Sequence, residues 1–473
     1  AAPPRGMKIH KLNPLDGGMC HFSNMVGAKR KAGLFRLAIF GGWHVDCEFI
    51  TDDGVCWGGF CAKNVVGLKF RHNARMIAQS GGIMITMRRQ LLGLGFVAGS
   101  SLLAMNAAHA LNGPTAINID GGPLGSLSLS GGFDAYGFAV SGMPAGGNGS
   151  NTTNVGTNVG SAIIQLQKTT GELQFNIEIG SVGGSIAPGT VTSRPGQTSV
   201  STYVTGPLYE GYVTLAPKDM PFTISAGQLG SLEGYEASLP WFNPSQLVTS
   251  IVYVQNSSAR GVEANYTKGP FSATVEYGDG WDTGVFNFVQ ALGTYTIDPN
   301  NVLNVYYAGN VGRQGLTAKT YSNTSVASYG PYFMNSQMFG AYYSFTAGNL
   351  NLVPEVQYVY AHTNHQLGID KTTANLGAAL FGNYTFGKSP YSLGGWVEYE
   401  NSQGAGSWFV GPKSEGVGFA LAPTWQYKDL YARVNAGGFY LLNNKYQGVS
   451  YGYGTSGTDK FQFVGTLEGG VLF

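Results

Sequence analysis

Histidine and cysteine, the side chains that most often carry catalysis or bind transition metals, are rare in most of this 473-residue chain. Beyond residue 110 the only histidines are His362 and His365, an H-x-x-H pair, and there is no cysteine. Two histidines are too few for a closed zinc site, and their spacing suits a helix better than a strand end. No acid–histidine–nucleophile set can be assembled around them. These residues therefore predict no metal site, no cofactor and no enzyme activity.

Acidic residues show a more informative spacing, because they recur at alternate positions in segments whose other positions are apolar. In residues 172–179, Leu173, Phe175, Ile177 and Ile179 alternate with polar residues that include two glutamates. This period of two is typical of a strand with one apolar and one wet face. The acids would then line the wet face of a sheet.

The composition indicates which kind of sheet this is. Charged residues make up 11% of the chain, against about 25% in an average globular protein, and Gly, Tyr and Phe number 72, 27 and 26. No run of 18 apolar residues occurs, which argues against membrane-spanning helices. Residues 111–473 carry 14 Lys or Arg against 21 Asp or Glu, so a nucleic-acid partner is not expected. We predict an all-β outer-membrane barrel.

The spacing of turn residues predicts the number of strands. Short links fall at 168–170, 217–221, 268–270, 298–301, 347–350, 387–390 and 428–429. Longer segments fall at 142–160, 181–207, 230–258, 278–288, 312–332, 362–373, 402–414 and 443–460. Because short and long connections alternate, we predict a transmembrane antiparallel up-and-down β-barrel of about 16 strands, with short periplasmic turns and long extracellular loops.

A secretory signal precedes this barrel. Met87-Arg88-Arg89 is basic, 91–105 is apolar, and Ala108-His109-Ala110 matches an A-x-A cleavage site. We therefore expect a signal peptide at 87–110, cleavage recognised through Ala108 and Ala110, and a mature barrel at 111–473 in the outer membrane of a Gram-negative bacterium.

Residues 1–86 lie upstream of that signal, and we interpret them as a non-native or disordered extension. Cys20, Cys47, Cys56, Cys61 and His44 allow a zinc site to be considered. The C-x4-C spacing of the last two cysteines lacks a second close pair, so the extension is favoured over a zinc domain.

The strand ends carry aromatic residues, as the interface girdles of such barrels do. Tyr391, Tyr427 and Phe222 are examples beside predicted short turns. Phe473 ends the chain on the apolar row of the last strand and resembles the C-terminal signature read by the barrel-assembly machinery. Its alternative reading is an ordinary edge strand.

The segment 222–277 resembles the OmpL-like outer-membrane β-barrel porin family of bacteria. The resemblance rests on Gly227, Gly234-Tyr235-Glu236, Trp241-Phe242-Asn243 and Arg260-Gly261-Val262-Glu263-Ala264. Pro244-Ser245-Gln246 replaces the Ser-Arg-Ser type of run that the family has after its Asn. The resemblance implies a porin without enzyme activity.

The alternation of side chains along each predicted strand indicates which charged residues face the barrel lumen. Taking apolar rows as lipid-facing, one basic residue, Arg433, faces the lumen among many acids. The predicted pore-lining acids are Glu172, Glu178, Glu210, Glu263, Glu276, Glu355, Glu398, Glu400 and Glu468. This excess predicts a preference for cations, unless some acids pair with loop lysines and arginines or lie at the wide mouth.

The third long loop, 230–258, is the longest and is rich in apolar residues. Glu233, Glu236, Trp241 and Phe242 are the candidates for a constriction that folds into the lumen. A short extra strand, or a lid packed on neighbouring loops, is the alternative. A spanning strand at 251–254 would break the even strand count, which favours the inserted loop.

Two functional classes remain. The first is a porin for passive diffusion of small hydrophilic solutes, with ion transport as its activity. It would be surrounded by outer-membrane lipid, and a homotrimer is among the expected assemblies. The second is a structural or adhesive barrel whose polar loops, at 146–160, 185–205 and 448–457, bind an outside partner. The transported solute depends on a constriction whose conformation the sequence does not determine.

Overall fold

In the computed structural model the chain forms two units, Ala1–Leu92 and Gly93–Phe473. The described residues are 21–25, 31–39, 43–51, 65–70, 111–142, 154–182, 185–190, 207–256, 258–282, 285–312 and 331–473. No helix in these stretches is both long enough and apolar enough to cross a membrane.

The first unit contains a four-stranded antiparallel sheet, which sequence analysis did not anticipate within residues 1–86. Its strands are His21–Met25, Lys31–Ile39, Trp43–Thr51 and Val65–Phe70, paired in chain order. Cys47 and His44 belong to the third strand, whereas Cys20, Cys56 and Cys61 lie outside the described residues.

The second unit is a closed antiparallel barrel of 16 membrane-spanning strands, as predicted. Each strand pairs with its neighbours in chain order, and the last pairs with the first. The strands are β1 Ser126–Val140, β2 Asn154–Lys168, β3 Leu173–Ser181, β4 Leu208–Leu215, β5 Phe222–Gly230, β6 Ser258–Lys268, β7 Phe271–Gly278, β8 Phe288–Asp298, β9 Asn301–Asn310, β10 Gln337–Ala347, β11 Leu350–Ala361, β12 Thr373–Thr385, β13 Tyr391–Gln403, β14 Glu415–Tyr427, β15 Leu430–Asn443 and β16 Phe461–Leu472.

The barrel closes between its first and last strands. The far end of β1 pairs with β16, and its near end pairs with a short strand, Ile117–Asp120. Between them, Phe473 and Gly131 exchange two backbone hydrogen bonds, of 2.8 and 3.0 Å. The short strand Ile117–Asp120 and β16 thus pair with successive parts of β1, and this pairing closes the barrel.

Inward-facing and outward-facing side chains alternate along the strands with the period of two seen in the sequence. In β3, Gln174, Asn176 and Glu178 point inward and are buried, whereas Leu173 and Ile179 are exposed on the outside. Outward apolar side chains of this kind recur around the barrel and provide its lipid-facing surface. The predicted girdle residues Phe222, Tyr391 and Tyr427 are exposed beside short turns, and so are Tyr295 and Phe386.

Seven short connections and eight long ones join the 16 strands, and every predicted short link falls at a turn. One boundary differs from prediction, because residues 154–160 belong to β2 and not to the first long loop. That segment, Asn-Val-Gly-Thr-Asn-Val-Gly, is polar enough to resemble a loop, but it pairs with β1. The N-terminal end of β1 and the C-terminal end of β16 lie on the short-turn side.

Cysteine labelling on intact cells would test this topology. Ser456, in the last long loop, and Ser389, in a short turn, are both exposed, and residues 111–473 contain no native cysteine. We expect a membrane-impermeant maleimide to label Ser456→Cys but not Ser389→Cys. Both variants should be labelled after the outer membrane is permeabilised. Labelling of Ser389→Cys alone on intact cells would show that the sidedness is reversed.

Candidate functional site

The connection between β5 and β6, residues 231–257, runs into the barrel lumen. We call it loop 3. It contains two short 3-10 turns, Pro240–Phe242 and Val252–Val254, and no spanning strand. Trp241, Leu247 and Ile251 are almost completely buried. Trp241 reaches Gly132 of β1, where a Cβ atom would lie 3.1 Å from the indole, so loop 3 crosses to the far wall.

Arg433 of β15 holds loop 3 against that wall. Its guanidinium forms an ion pair with Glu468 of β16, with Nε 2.8 Å from Oε2 and Nη2 3.0 Å from Oε1. In addition, Nη1 donates to the carbonyl oxygen of Asn243 at 3.0 Å, and Nη2 donates to that of Pro240 at 3.1 Å. Both charged side chains are fully buried. A planar guanidinium suits this double role, because its donors diverge in one plane.

Three further inner-wall side chains bind the backbone of loop 3. Asn435 accepts the N–H of Gln246 at 3.0 Å, and Trp396 donates its indole N–H to the carbonyl of Leu247 at 2.6 Å. Glu398 accepts the N–H of Ser250 at 2.7 Å. Strands β13 and β15 therefore satisfy polar backbone groups that burial in the lumen would otherwise leave without water.

Loop 3 also carries two buried carboxyl groups of its own. Glu236 accepts the backbone N–H and the hydroxyl of Thr249, and Glu233 accepts the N–H of Asn256 at 3.0 Å. Burial raises the pKa of Glu233 to about 8 and that of Glu236 to about 8, although these hydrogen bonds act in the opposite direction. The docked loop therefore favours the protonated form of both groups near neutral pH.

The structure places most of the predicted pore-lining acids on the inner row. Those buried there are Glu178, Glu210, Glu263, Glu276, Glu355, Glu398, Glu400 and Glu468. Glu172 differs, because it lies in the turn before β3 and is exposed. Asp134 of β1 is an inner acid that sequence reasoning missed: it is buried beside a bulge between Phe133 and Ala135 that disturbs the simple alternation.

Two acid pairs lie directly opposite each other on neighbouring strands. Glu178 of β3 faces Glu210 of β4, and Glu263 of β6 faces Glu276 of β7. Like charges in register destabilise a sheet, so nothing in packing alone favours this arrangement. Gln165 and Asn176 donate to Glu178 at 2.6 and 3.1 Å. In the second pair, Oε1 of each glutamate is buried without a hydrogen-bond partner.

Part of the second long connection also enters the lumen. Residues 185–190, which we call the loop 2 insert, form a parallel bridge between Ile186 and Leu247 of loop 3. Gly189 donates its N–H to Gln462 of β16 at 2.9 Å. Sequence analysis took 185–205 as one polar surface loop. The Gly, Ser and Pro content of that segment did not indicate that residues 185–190 are buried.

Aromatic side chains from three other long connections pack together at the loop end of the barrel. Trp281 lies between β7 and β8, Phe333 in the short helix α1 (Pro331–Met334), and Trp408 between β13 and β14. Phe333 lies 6.4 Å from Trp281 and 5.1 Å from Trp408 between ring centroids. All three are buried, so they narrow the outer mouth.

The remaining residues that sequence analysis singled out lie in loop 3, on an exposed connection or outside the described part. Phe242 is half-buried against Trp241, with ring centroids 6.2 Å apart. His362 follows β11, and His365 lies on the exposed connection to β12, with Nδ1 3.5 Å from Oδ1 of Asp370. Among the described residues no group of three potential metal ligands occurs. Ala108 and Ala110 fall outside those residues.

Two short motifs in the chain match enzyme patterns, and the fold gives neither its usual setting. Residues 382–389 read G-x-x-x-x-G-K-S, but they form the end of β12 and a tight turn, with no helix after the lysine. Residues 448–452 read G-x-S-x-G, but Ser450 lies in a two-residue strand of a loop hairpin. A phosphate loop and a nucleophile elbow both require a strand followed by a helix.

Comparison with solved structures shows the same barrel architecture. The anion-selective porin from Comamonas acidovorans matches with a TM-score of 0.51 and 13% identity, over 73% of this chain and 99% of its own. OmpT of Vibrio cholerae gives 0.45 and 11% over 74% and 98%, and Salmonella typhi OmpF gives 0.44 and 14% over 76% and 100%. The match to the Comamonas acidovorans protein, at 13% identity, indicates a shared fold only.

Among curated proteins, no sequence matches this chain. A family profile described as "Putative beta-barrel porin-2, OmpL-like" does match, over residues 126–473, which include all 16 spanning strands and loop 3. A closed barrel with an apolar outer row and a polar inner row, matched over its whole length, is an outer-membrane protein of this kind, and the chain belongs to the OmpL-like β-barrel porin-2 family.

Proposed function

We propose that this porin passes small hydrophilic solutes by diffusion, with a preference for cations, and acts as a channel and not as an enzyme. The observation that supports the preference is the charge of the inner row. Nine carboxyl groups, counting Asp134, lie on the described inner strand positions, and Arg433 is the one basic side chain buried among them. That arginine is already neutralised by Glu468.

The acids on the inner wall have two different tasks. Glu398 and Glu468 bind loop 3, directly or through Arg433, so their oxygen atoms are engaged. Glu263 and Glu276 each keep an unpartnered oxygen, and the carboxyl group of Glu233 lies within electrostatic range of Glu276. We assign the selectivity to Glu263 and Glu276, which face each other on β6 and β7.

The likeness to an anion-selective porin does not weaken this proposal. That description belongs to the Comamonas acidovorans protein, which shares 13% of residues with this chain. Selectivity depends on the side chains that line the pore, and a barrel of the same architecture can carry either sign of charge.

Neutralising the opposed pair should reduce the cation preference. A carboxylate about 4 Å from an ion contributes roughly 1 kcal/mol in water and up to about 4 at lower effective dielectric. We therefore expect the double variant Glu263→Gln, Glu276→Gln to lower the cation-to-anion permeability ratio by ~5-fold or more. The reversal potential in a salt gradient across a planar bilayer measures it.

Glu172→Gln is the control for that experiment, because Glu172 is an exposed carboxyl group outside the lumen. Its reversal potential should equal that of the wild type. If the double variant behaves like Glu172→Gln, or if the wild-type channel prefers anions, the assignment of selectivity to this pair is wrong.

A second function is favoured by one observation. Loop 3, the loop 2 insert and the aromatic cluster of Trp281, Phe333 and Trp408 fill much of the lumen and its outer mouth. A barrel closed in this way could serve as a structural or adhesive protein with partner-binding loops. Single-channel recording separates the two functions, because only a porin conducts.

We also propose that Phe473 is read by the barrel-assembly machinery. Its backbone completes the seam with Gly131, but one residue contributes little to the stability of 16 paired strands. We expect deletion of Phe473 to lower the yield of assembled barrel in cells several-fold while a refolded sample unfolds at nearly the wild-type temperature. Heat-modifiable gel mobility measures both the yield of assembled barrel and the temperature at which it unfolds. Normal yield in cells would contradict the proposal.

A further inference from the structure

The loop 2 insert, residues 185–190, lies on top of loop 3 within the barrel. The N–H of Val248 donates to the carbonyl of Ile186 at 3.0 Å, and the hydroxyl of Ser250 to that of Pro188 at 3.5 Å. On the wall side, Gly189 packs against Phe439 and donates to Gln462. Above it, Tyr453 of the last long loop donates its hydroxyl to the carbonyl of Gly189 at 3.1 Å.

The two inserted segments differ in how they are held. Loop 3 is attached to the wall through Arg433, whose guanidinium is paired with Glu468 and also donates to the carbonyl groups of Asn243 and Pro240. Hydrogen bonds to charged groups are roughly twice as strong as those between neutral groups. The contacts given above for the loop 2 insert involve only uncharged groups.

We propose that the loop 2 insert is a displaceable plug that controls opening of the pore, while loop 3 stays docked as the fixed constriction. The insert covers loop 3 along 247–250 and occupies the space between loop 3 and strands β15 and β16. Its withdrawal would open that side of the lumen to water without breaking the Arg433–Glu468 pair. As a statement about solute flow, this inference rests on the proposed porin function.

Gly189 provides a way to displace the insert. Its φ is +92°, and a Cβ atom there would lie 2.6 Å from Cγ of Phe439, a ring that is fully buried and packed against Phe409. Gly189→Val cannot be accommodated while the insert is docked. Gly448→Val is the matched control, because Gly448 has a φ of +83° and no atom lies within 4 Å of the position that its Cβ would take. Both substitutions strain the backbone, but only the first collides.

Two measurements follow, and the first does not depend on conduction. Ser250, buried beneath the insert, is changed to cysteine in each background. We expect a small water-soluble thiol reagent to label it at least tenfold faster with Gly189→Val than with Gly448→Val or neither. Equal rates would overturn the plug. If Gly189→Val yields no heat-modifiable barrel, Gly189→Ala, which meets Phe439 with a single Cβ, is tested in the same way.

The second measurement is the open probability of single channels. We expect it to rise severalfold with Gly189→Val and to stay at the wild-type value with Gly448→Val. Conducting channels with the same open probability in both variants would overturn control by the insert. Faster labelling of Ser250→Cys with no conductance in any variant would support a displaceable segment and refute the porin function, so the two failures can be told apart.

Discussion

Replacing Arg433 with methionine is expected to destabilise the folded barrel by about 3–5 kcal/mol and to release loop 3 from the far wall. The substitution leaves the carboxylate of Glu468 buried without its counter-ion, and removal of one partner of a buried pair has a cost of this size. It also removes the donors to Pro240 and Asn243. Denaturant unfolding of the detergent-solubilised protein measures the first effect. Single-channel conductance, expected to increase, measures the second.

The double variant Arg433→Met, Glu468→Met distinguishes these two effects. It leaves no unpaired buried charge, so most of the stability should return, since such apolar replacements are often neutral or stabilising. The two carbonyl groups of loop 3 still lack their donor, so the conductance should stay high. If the double variant regains wild-type conductance together with its stability, Arg433 does not hold the loop.

Raising the pH from about 4.5 to about 8 is expected to loosen loop 3. Burial raises the pKa of Glu233 and of Glu236 to about 8, from an ordinary value of 4.5. The docked loop therefore binds more protons than a released loop between these values, and docking loses stability as the pH rises from about 4.5 to about 8. Below 4.5 the contribution of both groups is complete.

The neighbouring groups act in the same direction. Glu355 and Glu398 lie within electrostatic range of Glu236, and Glu276 lies within range of Glu233, so ionisation places like charges close together. Conductance or open probability recorded from pH 5 to pH 9 should increase towards the alkaline end. The variant Glu233→Gln, Glu236→Gln should show a flatter profile. A wild-type channel insensitive to pH over this range would contradict the prediction.

The amino-acid sequence by itself determined the barrel wall. Alternation such as that in residues 172–179 depends on neighbouring residues alone, because a strand in lipid must show apolar side chains on one face. Tight turns at positions such as 268–270 and 428–429 are likewise local, and they set the count of 16 strands. The inward direction of Glu263, Glu276 and Glu398 followed from the same rows.

Only the tertiary structure decided what fills the barrel. Loop 3 is apolar enough to indicate burial, but its partners, Arg433, Asn435 and Trp396, are more than 140 residues away in the chain. The loop 2 insert gave no local signal, because its contacts with Leu247 and Gln462 arise only when the closed barrel brings β15 and β16 opposite β5. Asp134 was hidden by a bulge that shifts the register of β1. Strand rows are encoded by neighbours in sequence, whereas the path of a loop across the lumen depends on contacts that exist only after the barrel has closed.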